Sequence, residues 1–390
     1  MTRTGILHIG PAKTGTTSCQ EALFANRKML LERHGVFYPS VARSHNSMLT
    51  VMFVEDPRRN IAVKSLGITT HEGAEVLRRR YFGQMEANLA RASYDTLVLS
   101  SEGLWTMPID SVRKLRTWLL NFADDWTVLF TSRHPVDYAT SNIQQQIRQG
   151  HVLEERIARP PMTQFKRRAS VYFDVFGQEN VKLTAFEEAR DEPGGLVAAF
   201  CRRLGLPETT AMEVGRSSPV RWDEPGALGS AFRRRLGLPD KSAMGVGLSS
   251  PVRNESMSML ATLLVSSLNQ QRPRLIGGKL NPERAEDDVR VLRRIKGEKF
   301  RLPPEVETKV RRTSRDDVEW LNATYGRQLY LDVFSDHPPS ALPEAGAYSP
   351  ETLQSLSLLL SDLINRQGMS AERLGRRILS SWQARGTNPS

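Results

Sequence analysis

The sequence predicts an α/β protein in which a parallel β-sheet is flanked by helices on both faces. Strand-like and helix-like segments alternate from the first residue onward. The strand-like segments are short apolar runs, which is the composition of strands buried inside a parallel sheet. With 39% hydrophobic and 25% charged residues, the chain can build a core around such a sheet. Alternating strands and helices favour parallel pairing, because each helix carries the chain back across the sheet.

Each element is predicted from its own segment. Four apolar runs predict strands, at residues 5–9, 94–100, 127–131 and 181–186. The segments that follow or precede them predict helices, at residues 18–33, 111–122 and 136–149, with a further helix that ends within 171–177. A glycine- and threonine-rich turn separates the first strand from the first helix, and a proline opens the helix that follows the third strand.

The domain organisation follows from a repeat and a change of composition. Residues 191–221 recur at 223–253 with 22 of 31 positions identical. Two copies are too few for a solenoid, so we predict a tandem duplication, 191–222 and 223–254, inside one α/β domain at 1–333, with the first copy as the inserted one. A proline-containing linker at 334–350 and a helical C-terminal extension at 351–390 follow. The extension packs on the same chain or, alternatively, forms a homodimer.

Composition limits the partners and the location. Lys plus Arg number 54 against 43 Asp plus Glu, so the net charge of +11 favours anionic ligands such as phosphates, sulfates or acidic glycans. Two cysteines exclude a disulfide scaffold and a cysteine-rich zinc module, and no ligand cluster calls for a metal. We expect no transmembrane segment and a cytoplasmic protein, since neither a signal sequence nor a long apolar stretch is present.

The segment between the first strand and the first helix has the character of a phosphate-binding loop. Backbone N–H groups at the start of a helix point at an anion, and the helix dipole favours negative charge there. Glycines let the backbone approach a ligand closely, and hydroxyls add donors. The predicted binding residues are Pro11, Ala12, Lys13, Thr14, Gly15, Thr16, Thr17 and Ser18.

This loop departs from the loop of nucleoside triphosphatases at one position. The triphosphatase pattern places a lysine directly after the second glycine, where it reaches the β- and γ-phosphates. Here Thr16 occupies that position, and the loop lysine is Lys13, three residues earlier. The displaced charge favours a 5′-phosphate and the group that leaves from it over a triphosphate chain with a metal.

A second anion site is predicted after the strand at 127–131. Arg133 lies at the strand exit, and Ser141 falls about two helical turns beyond Pro135. Residues seven apart share a helix face, so Ser141 lies beneath the start of the helix and Arg133 can reach back over it. A guanidinium and a hydroxyl on one side form a phosphate clamp.

The two segments together resemble the sulfotransferases that use 3′-phosphoadenylyl sulfate (PAPS). Lys13-Thr14-Gly15-Thr16-Thr17 is similar to the 5′-phosphosulfate loop of that family, and Arg133 with Ser141 has the spacing of its 3′-phosphate motif. The resemblance implies a P-loop-like sulfotransferase fold and a PAPS-dependent enzyme whose product is adenosine 3′,5′-bisphosphate. It implies no metal, and Ser141 as a link from the 3′-phosphate to Lys13.

The chemistry requires a cation at the leaving oxygen and a base for the acceptor. Lys13 is the predicted partner of the leaving oxygen. Glu102 follows a buried strand, at the edge of a parallel sheet where ligands bind, and is the predicted base; His45 is the alternative. The predicted acceptor is the hydroxyl or amine of a carbohydrate, a glycolipid or a small alcohol.

Two other functions stay open at this point. The first is a P-loop nucleoside triphosphatase or kinase-like phosphotransferase, which would need ATP and Mg²⁺. The second is a non-catalytic binder of anions or nucleic acid that uses the +11 charge. We rank nucleic acid last and do not expect it as a partner, because the chain has no aromatic-rich basic stripe and no RNA-recognition or zinc-finger signature.

Overall fold

The computed structural model of the chain describes residues 2–217, 256–276, 279–281, 283–284, 288–335 and 349–365. The second copy of the duplication, residues 366–390 of the predicted C-terminal extension and most of the predicted linker lie outside the described residues. Within the described part of the chain, no helix is long and apolar enough to cross a membrane.

A five-stranded, all-parallel sheet forms the centre of the fold, in the order β2-β3-β1-β4-β5. The prediction of an α/β fold on a parallel sheet is confirmed. The strands are β1 (Thr4–His8), β2 (Val36–Phe37), β3 (Thr96–Ser100), β4 (Asp125–Ser132) and β5 (Val181–Ala185). The three central strands, β3, β1 and β4, end at the same edge because parallel neighbours share direction.

Helices connect and cover these strands. They are α1 (Thr16–His34), α2 (Asn46–Phe53), α3 (Ile61–Ser65), α4 (His71–Leu89), α5 (Ile109–Leu119), α6 (Pro135–Arg148), α7 (Leu153–Ala158), α8 (Phe165–Phe176), α9 (Phe186–Asp191), α10 (Gly195–Arg203) and α11 (Glu208–Ser217). Further along the chain come α12 (Met259–Gln271), the short strands β6 (Leu275–Ile276) and β7 (Lys279–Leu280), α13 (Asp288–Leu292), α14 (Pro304–Tyr325) and α15 (Pro350–Asn365). Strands β6 and β7 pair antiparallel.

Both faces of the sheet are buried, and successive strand residues contribute to the cores on opposite faces. On β4, Leu129 joins the core that α1, α10 and α11 form on one face. Its neighbour Phe130 points to the other face, where its ring stacks on Trp105 at 5.4 Å. Helix α8 closes that face through Phe165, whose ring lies 6.5 Å from the ring of Trp105.

One close packing contact in the sheet requires a glycine. Gly5 on β1 pairs with Trp126 on β4. A Cβ added to Gly5 would lie 2.3 Å from the indole ring, which is far inside van der Waals contact. The indole therefore occupies the space that a side chain at position 5 would need, and this brings β1 and β4 together at the start of the strand pair.

The described residues form two units. The first comprises 2–134, 164–217 and 317–329, and it contains the five-stranded sheet. The second comprises 135–163, the described residues of 256–316, and those of 330–365. The core of the second unit is formed by α6, α12 and the residues around 292–310, and it includes Ile147, Val265 and Phe300.

The first copy of the duplication is part of the core of the first unit. Its residues Val197, Phe200 and Val214 pack with Leu23 and Leu30 of α1. The apolar residues of α10 and α11 thus complete one of the two layers on the sheet. Which of the two copies is the inserted one stays a prediction, because the second copy lies outside the described residues.

Helix α15 belongs to the predicted C-terminal extension, and it packs on α12 of the same chain. The Ser267 and Ser357 hydroxyls lie 3.3 Å apart, and Leu360 packs against the core of the second unit. This is the same-chain packing that the amphipathic pattern allowed. Dimer formation through the extension stays a prediction.

Candidate functional site

The loop between β1 and α1 adopts a conformation that depends on left-handed backbone positions. Gly10, Lys13 and Gly15 have φ values of 84°, 69° and 80°. Glycine takes such values at no steric cost, whereas a lysine there is strained by about 1–2 kcal/mol. Strain at Lys13 is typical of residues held in place for a functional reason.

Two of the loop hydroxyls stabilise the loop itself. Thr14 and Thr16 are each 2% exposed, and both hydroxyls donate to the carbonyl of Pro11, at 2.6 and 3.2 Å. We expected all four loop hydroxyls to be donors for a ligand. In the structure the hydrogens of these two hydroxyls are used within the loop, and contacts of Thr14 and Thr16 with a ligand stay a prediction. Thr17 and Ser18 are half-buried and remain as candidate hydroxyl donors.

The N-terminus of α1 provides backbone donors. The first bond of the helix runs from the N–H of Cys19 to the carbonyl of Gly15. The N–H groups of Thr16, Thr17 and Ser18 precede it and have no acceptor within the helix. No acidic residue occupies the first turn, and the Gly15 N-cap supplies no side chain. The positive end of the helix dipole is therefore left without a neutralising group from this turn.

Arg133 lies against the same loop. Its Nη1 donates to the main-chain carbonyl of Lys13 at 2.5 Å. The guanidinium carbon lies 4.8 Å from the centre of the Phe186 ring, which is cation–π distance. The residue after Arg133 is fixed as well, because the N–H of His134 donates to the Glu187 carboxylate at 3.0 Å. The structure thus brings the Arg133 guanidinium to the main chain of Lys13, which lies 120 positions earlier in the sequence.

The loop packs against residues at the beginning of α9 and of α10. A Cβ built on Gly15 would lie 1.9 Å from a methyl group of Leu196 and 3.6 Å from the ring of Phe186. Gly15 is therefore required twice, by its positive φ and by its packing. Phe186 contacts both halves of the site, because its ring also lies against Arg133.

Glu102 follows β3 in a short 3-10 helix, Glu102–Thr106, next to the loop. A Cβ built on Gly10 would lie 3.1 Å from both Cα and Cβ of Glu102, so the loop backbone passes directly over this residue. Burial raises the pKa of the Glu102 carboxyl above its ordinary value, and the positive charge of Lys13 opposes that shift. A carboxylate with a raised pKa next to a cation has the character of a general base.

A buried polar network holds the end of β3. The Ser100 hydroxyl lies 2.9 Å from Nδ1 of His8. The Gln20 amide nitrogen donates to the carbonyl and the hydroxyl of Ser100 at 3.2 and 3.1 Å. Burial lowers the pKa of His8 to about 4, so the imidazole is neutral at physiological pH. The strand end that precedes Glu102 is therefore fixed by hydrogen bonds.

His45 has both ring nitrogens engaged. Nε2 donates to the carbonyl of Pro39 at 3.0 Å, and Nδ1 accepts from the N–H of Ser100 at 3.4 Å. The ring is fully buried and stacks on Tyr38 at 4.4 Å. Burial lowers the pKa of His45 to about 4. An imidazole in this state contacts no solvent, and its two hydrogen bonds connect β3 to the segment around Pro39. The part of His45 as a base stays a prediction.

The remaining predicted residues lie as follows. Pro11 is buried and Ala12 is half-buried in the loop. Ser141 lies half-buried on α6, in the second unit, and its part in the site stays a prediction. Among the described residues, no group of three or more His, Cys, Asp or Glu side chains could hold a metal ion.

Sequence reasoning missed the residues that hold the predicted ones. Phe186 and Leu196 support the loop and Arg133, and Asn46 holds the turn around Glu102. The signal for Phe186 was its place at the end of the strand predicted at 181–186, which the structure pairs with β4. Asn46 gave no comparable signal, because it lies in a helix that the sequence analysis did not predict.

Comparison with solved structures finds a protein that is similar to this chain. It is a sulfotransferase from Alicyclobacillus acidocaldarius, with 19% sequence identity and a TM-score of 0.33; the match covers 53% of this chain and 83% of that one. No protein-family model and no curated protein matches the chain.

Proposed function

We propose that this chain is a sulfotransferase that moves a sulfuryl group from PAPS to a hydroxyl or amine. The observation that carries the proposal is the bond from Arg133 to the Lys13 carbonyl, which holds the Arg133 guanidinium against the loop that contains Lys13 and precedes the N-terminus of α1. PAPS carries phosphate groups at the 3′ and 5′ positions of one ribose, so its binding needs two anion sites close together. The donor set of this loop fits that need.

The loop residues divide the work of binding. The N–H groups at the start of α1 and the hydroxyls of Thr17 and Ser18 would hold the 5′-phosphosulfate, and Lys13 would stand at the bridging oxygen. Arg133 would hold the 3′-phosphate, with Ser141 as the second donor. As the acceptor oxygen bonds to sulfur, the bond from sulfur to the 5′-phosphate oxygen breaks. Lys13 stabilises the charge that then develops on adenosine 3′,5′-bisphosphate.

Glu102 would accept the proton of the acceptor. Its backbone lies against Gly10 of the loop, and the raised pKa of its carboxyl favours proton uptake. His45 is the weaker candidate for this role, because its two nitrogens are bonded to Pro39 and Ser100. The excess of Lys and Arg over the whole chain favours an acidic acceptor such as an anionic carbohydrate or glycolipid.

A binding experiment tests the donor, with magnesium removed by a chelator. Adenosine 3′,5′-bisphosphate should raise the melting temperature of the wild-type chain without magnesium. Lys13→Ala and Arg133→Ala should each remove most of that increase. Arg3→Ala is the matched control, since Arg3 also lies over an aromatic ring, 4.9 Å from the centre of Tyr94, but at the opposite end of β1. Stabilisation only by ATP with Mg²⁺ would instead favour a P-loop phosphotransferase.

A transfer experiment tests the reaction. Sulfate-labelled PAPS is offered with a panel of acceptors that includes anionic polysaccharides, glycolipids and small alcohols, and labelled products are separated. Glu102→Gln should bind adenosine 3′,5′-bisphosphate as the wild type does and should lose transfer. Retained transfer in that variant would exclude Glu102 as the base, and salt-sensitive binding of random DNA with no transfer would favour a nucleic-acid binder.

A further inference from the structure

Two residues at the start of α2 fasten the turn that carries Glu102. The Oδ1 atom of Asn46 accepts a hydrogen bond from the N–H of Gly103 at 2.6 Å and another from the Ser101 hydroxyl at 3.1 Å. Its neighbour His45 accepts from the N–H of Ser100. One amide oxygen therefore bridges the residues immediately before and after Glu102.

The first turn of α2 approaches the backbone next to Glu102 closely because residue 103 is a glycine. A Cβ at this position would lie 2.3 Å from Oγ1 of Thr50 and 2.6 Å from Oδ1 of Asn46. Only a glycine lets the first turn of α2 contact this backbone. Asn46 itself is fixed within its helix turn, because its carbonyl accepts from the Thr50 hydroxyl at 2.7 Å.

We propose that Asn46 is a positioning residue for Glu102, and that its amide oxygen fixes the direction in which the Glu102 carboxylate faces the loop. The inference rests on the proposed function, since it gives Glu102 a part in transfer. Glu102 itself receives no hydrogen bond from Asn46, so the effect passes through the backbone of residues 101–103. A carboxylate that must meet an acceptor proton within hydrogen-bond distance depends on such support.

The test compares two variants of Asn46, one without and one with an oxygen at the position of Oδ1. Asn46→Ala removes the acceptor oxygen and frees the turn. Asn46→Asp keeps an oxygen in the same place and adds a negative charge near Glu102. A like charge raises the pKa of a carboxyl group. The first variant should therefore lose turnover, and the second should keep it with an altered pH dependence.

The expected results are specific. In Asn46→Ala, kcat should fall by about 100-fold, the size of a misplaced catalytic group, with the affinity for adenosine 3′,5′-bisphosphate unchanged. In Asn46→Asp, the acid limb of the pH–rate profile should move to higher pH, and the rate above that limb should approach that of the wild type. Lys13 is the charged group that faces Glu102, and burial keeps His8 and His45 neutral, with pKa values of about 4.

Asn60 offers a matched control. Its Oδ1 also accepts from a backbone N–H at a helix start, that of Ala62 at 2.8 Å in α3. Asn60→Ala should lower the melting temperature and leave kcat unchanged. Gly103→Ala should reproduce the kcat loss of Asn46→Ala while residue 46 stays an asparagine, because the added methyl group would lie 2.6 Å from Oδ1 of Asn46 and would displace it.

The outcomes separate this inference from the proposed function. Wild-type kcat in a folded Asn46→Ala chain, or an unmoved acid limb in Asn46→Asp, would overturn the inference while the wild type still transfers sulfuryl groups. A wild-type chain that transfers nothing to any acceptor would overturn both. A kcat loss in Asn60→Ala equal to that in Asn46→Ala would assign the effect to general stability and overturn the inference.

Discussion

Protonation of the buried histidines behind β3 should destabilise the chain in mild acid. His45 is neutral with its proton on Nε2, because that atom donates to Pro39 and Nδ1 accepts from Ser100. A second proton on Nδ1 would face the N–H of Ser100. Burial lowers the pKa of His45 from 6.5 to about 4, so the unfolded chain binds this proton more tightly than the folded chain does.

The size of the effect follows from that shift. The contribution is fully present above pH 6.5 and is lost as the pH falls towards 4. With about 1.4 kcal/mol for each pKa unit, the free energy of unfolding falls by about 2 kcal/mol at about pH 5 and by about 3 kcal/mol below about pH 4. His8, whose pKa burial also lowers to about 4, contributes a similar loss.

Urea unfolding at about pH 7.5 and about pH 5 measures this term. His45→Gln keeps a donor for Pro39 and cannot titrate, so its loss of stability between the two pH values should be about 2 kcal/mol smaller than that of the wild type. His71→Gln is the control, because the His71 side chain is 66% exposed. Equal losses in wild type and His45→Gln would refute the reasoning.

Three further predictions concern the site and the sheet. Glu102→Gln should raise the melting temperature at neutral pH. Folding raises the pKa of the Glu102 carboxyl, so the wild-type chain loses free energy of unfolding as the pH rises and this carboxyl ionises. An unchanged melting temperature in Glu102→Gln would contradict the raised pKa. Gly5→Ala should destabilise the chain by about 3 kcal/mol through overpacking, whereas Gly83→Ala, in the middle of α4 with nothing within 4 Å, should stabilise it by about 0.5–1 kcal/mol; urea unfolding of both checks the sign. Phe186→Ala should weaken binding of adenosine 3′,5′-bisphosphate by about 3-fold through loss of the ring against Arg133, measured by calorimetry.

The sheet could be predicted because its strands are apolar runs. The runs at 94–100 and 127–131 correspond to β3 and β4. The predicted ends of these strands differ from the observed ends by two residues or fewer. The strand β2 has only two residues, Val36 and Phe37, which is too short for a periodic signal. The order of strands also could not be predicted, since it depends on which crossovers the chain makes and not on local composition.

The site could be predicted only as far as its chemistry has a local signature. Lys13 and Arg133 each follow a buried strand, and the parallel sheet brings both strand ends to one edge. The role of the Thr14 and Thr16 hydroxyls depends on the path of the Pro11 carbonyl, which spacing does not specify. Asn46 lies 57 residues from Gly103, and only the folded chain brings them together.

The most direct test of the account is nucleotide binding by Lys13→Ala and Arg133→Gln, measured by calorimetry without metal. The ligands are adenosine 3′,5′-bisphosphate and the two adenosine monophosphates that carry only the 5′- or only the 3′-phosphate. Lys13→Ala should lower the affinity for the 5′-phosphate ligand by about 10- to 100-fold and leave the affinity for the 3′-phosphate ligand unchanged. Arg133→Gln should do the reverse. Both variants should bind the bisphosphate more weakly than the wild type does. The wild-type chain should bind one molecule of bisphosphate. Equal effects of the two variants on all three ligands, or unchanged binding in either variant, would contradict the claim that these residues hold opposite ends of one nucleotide.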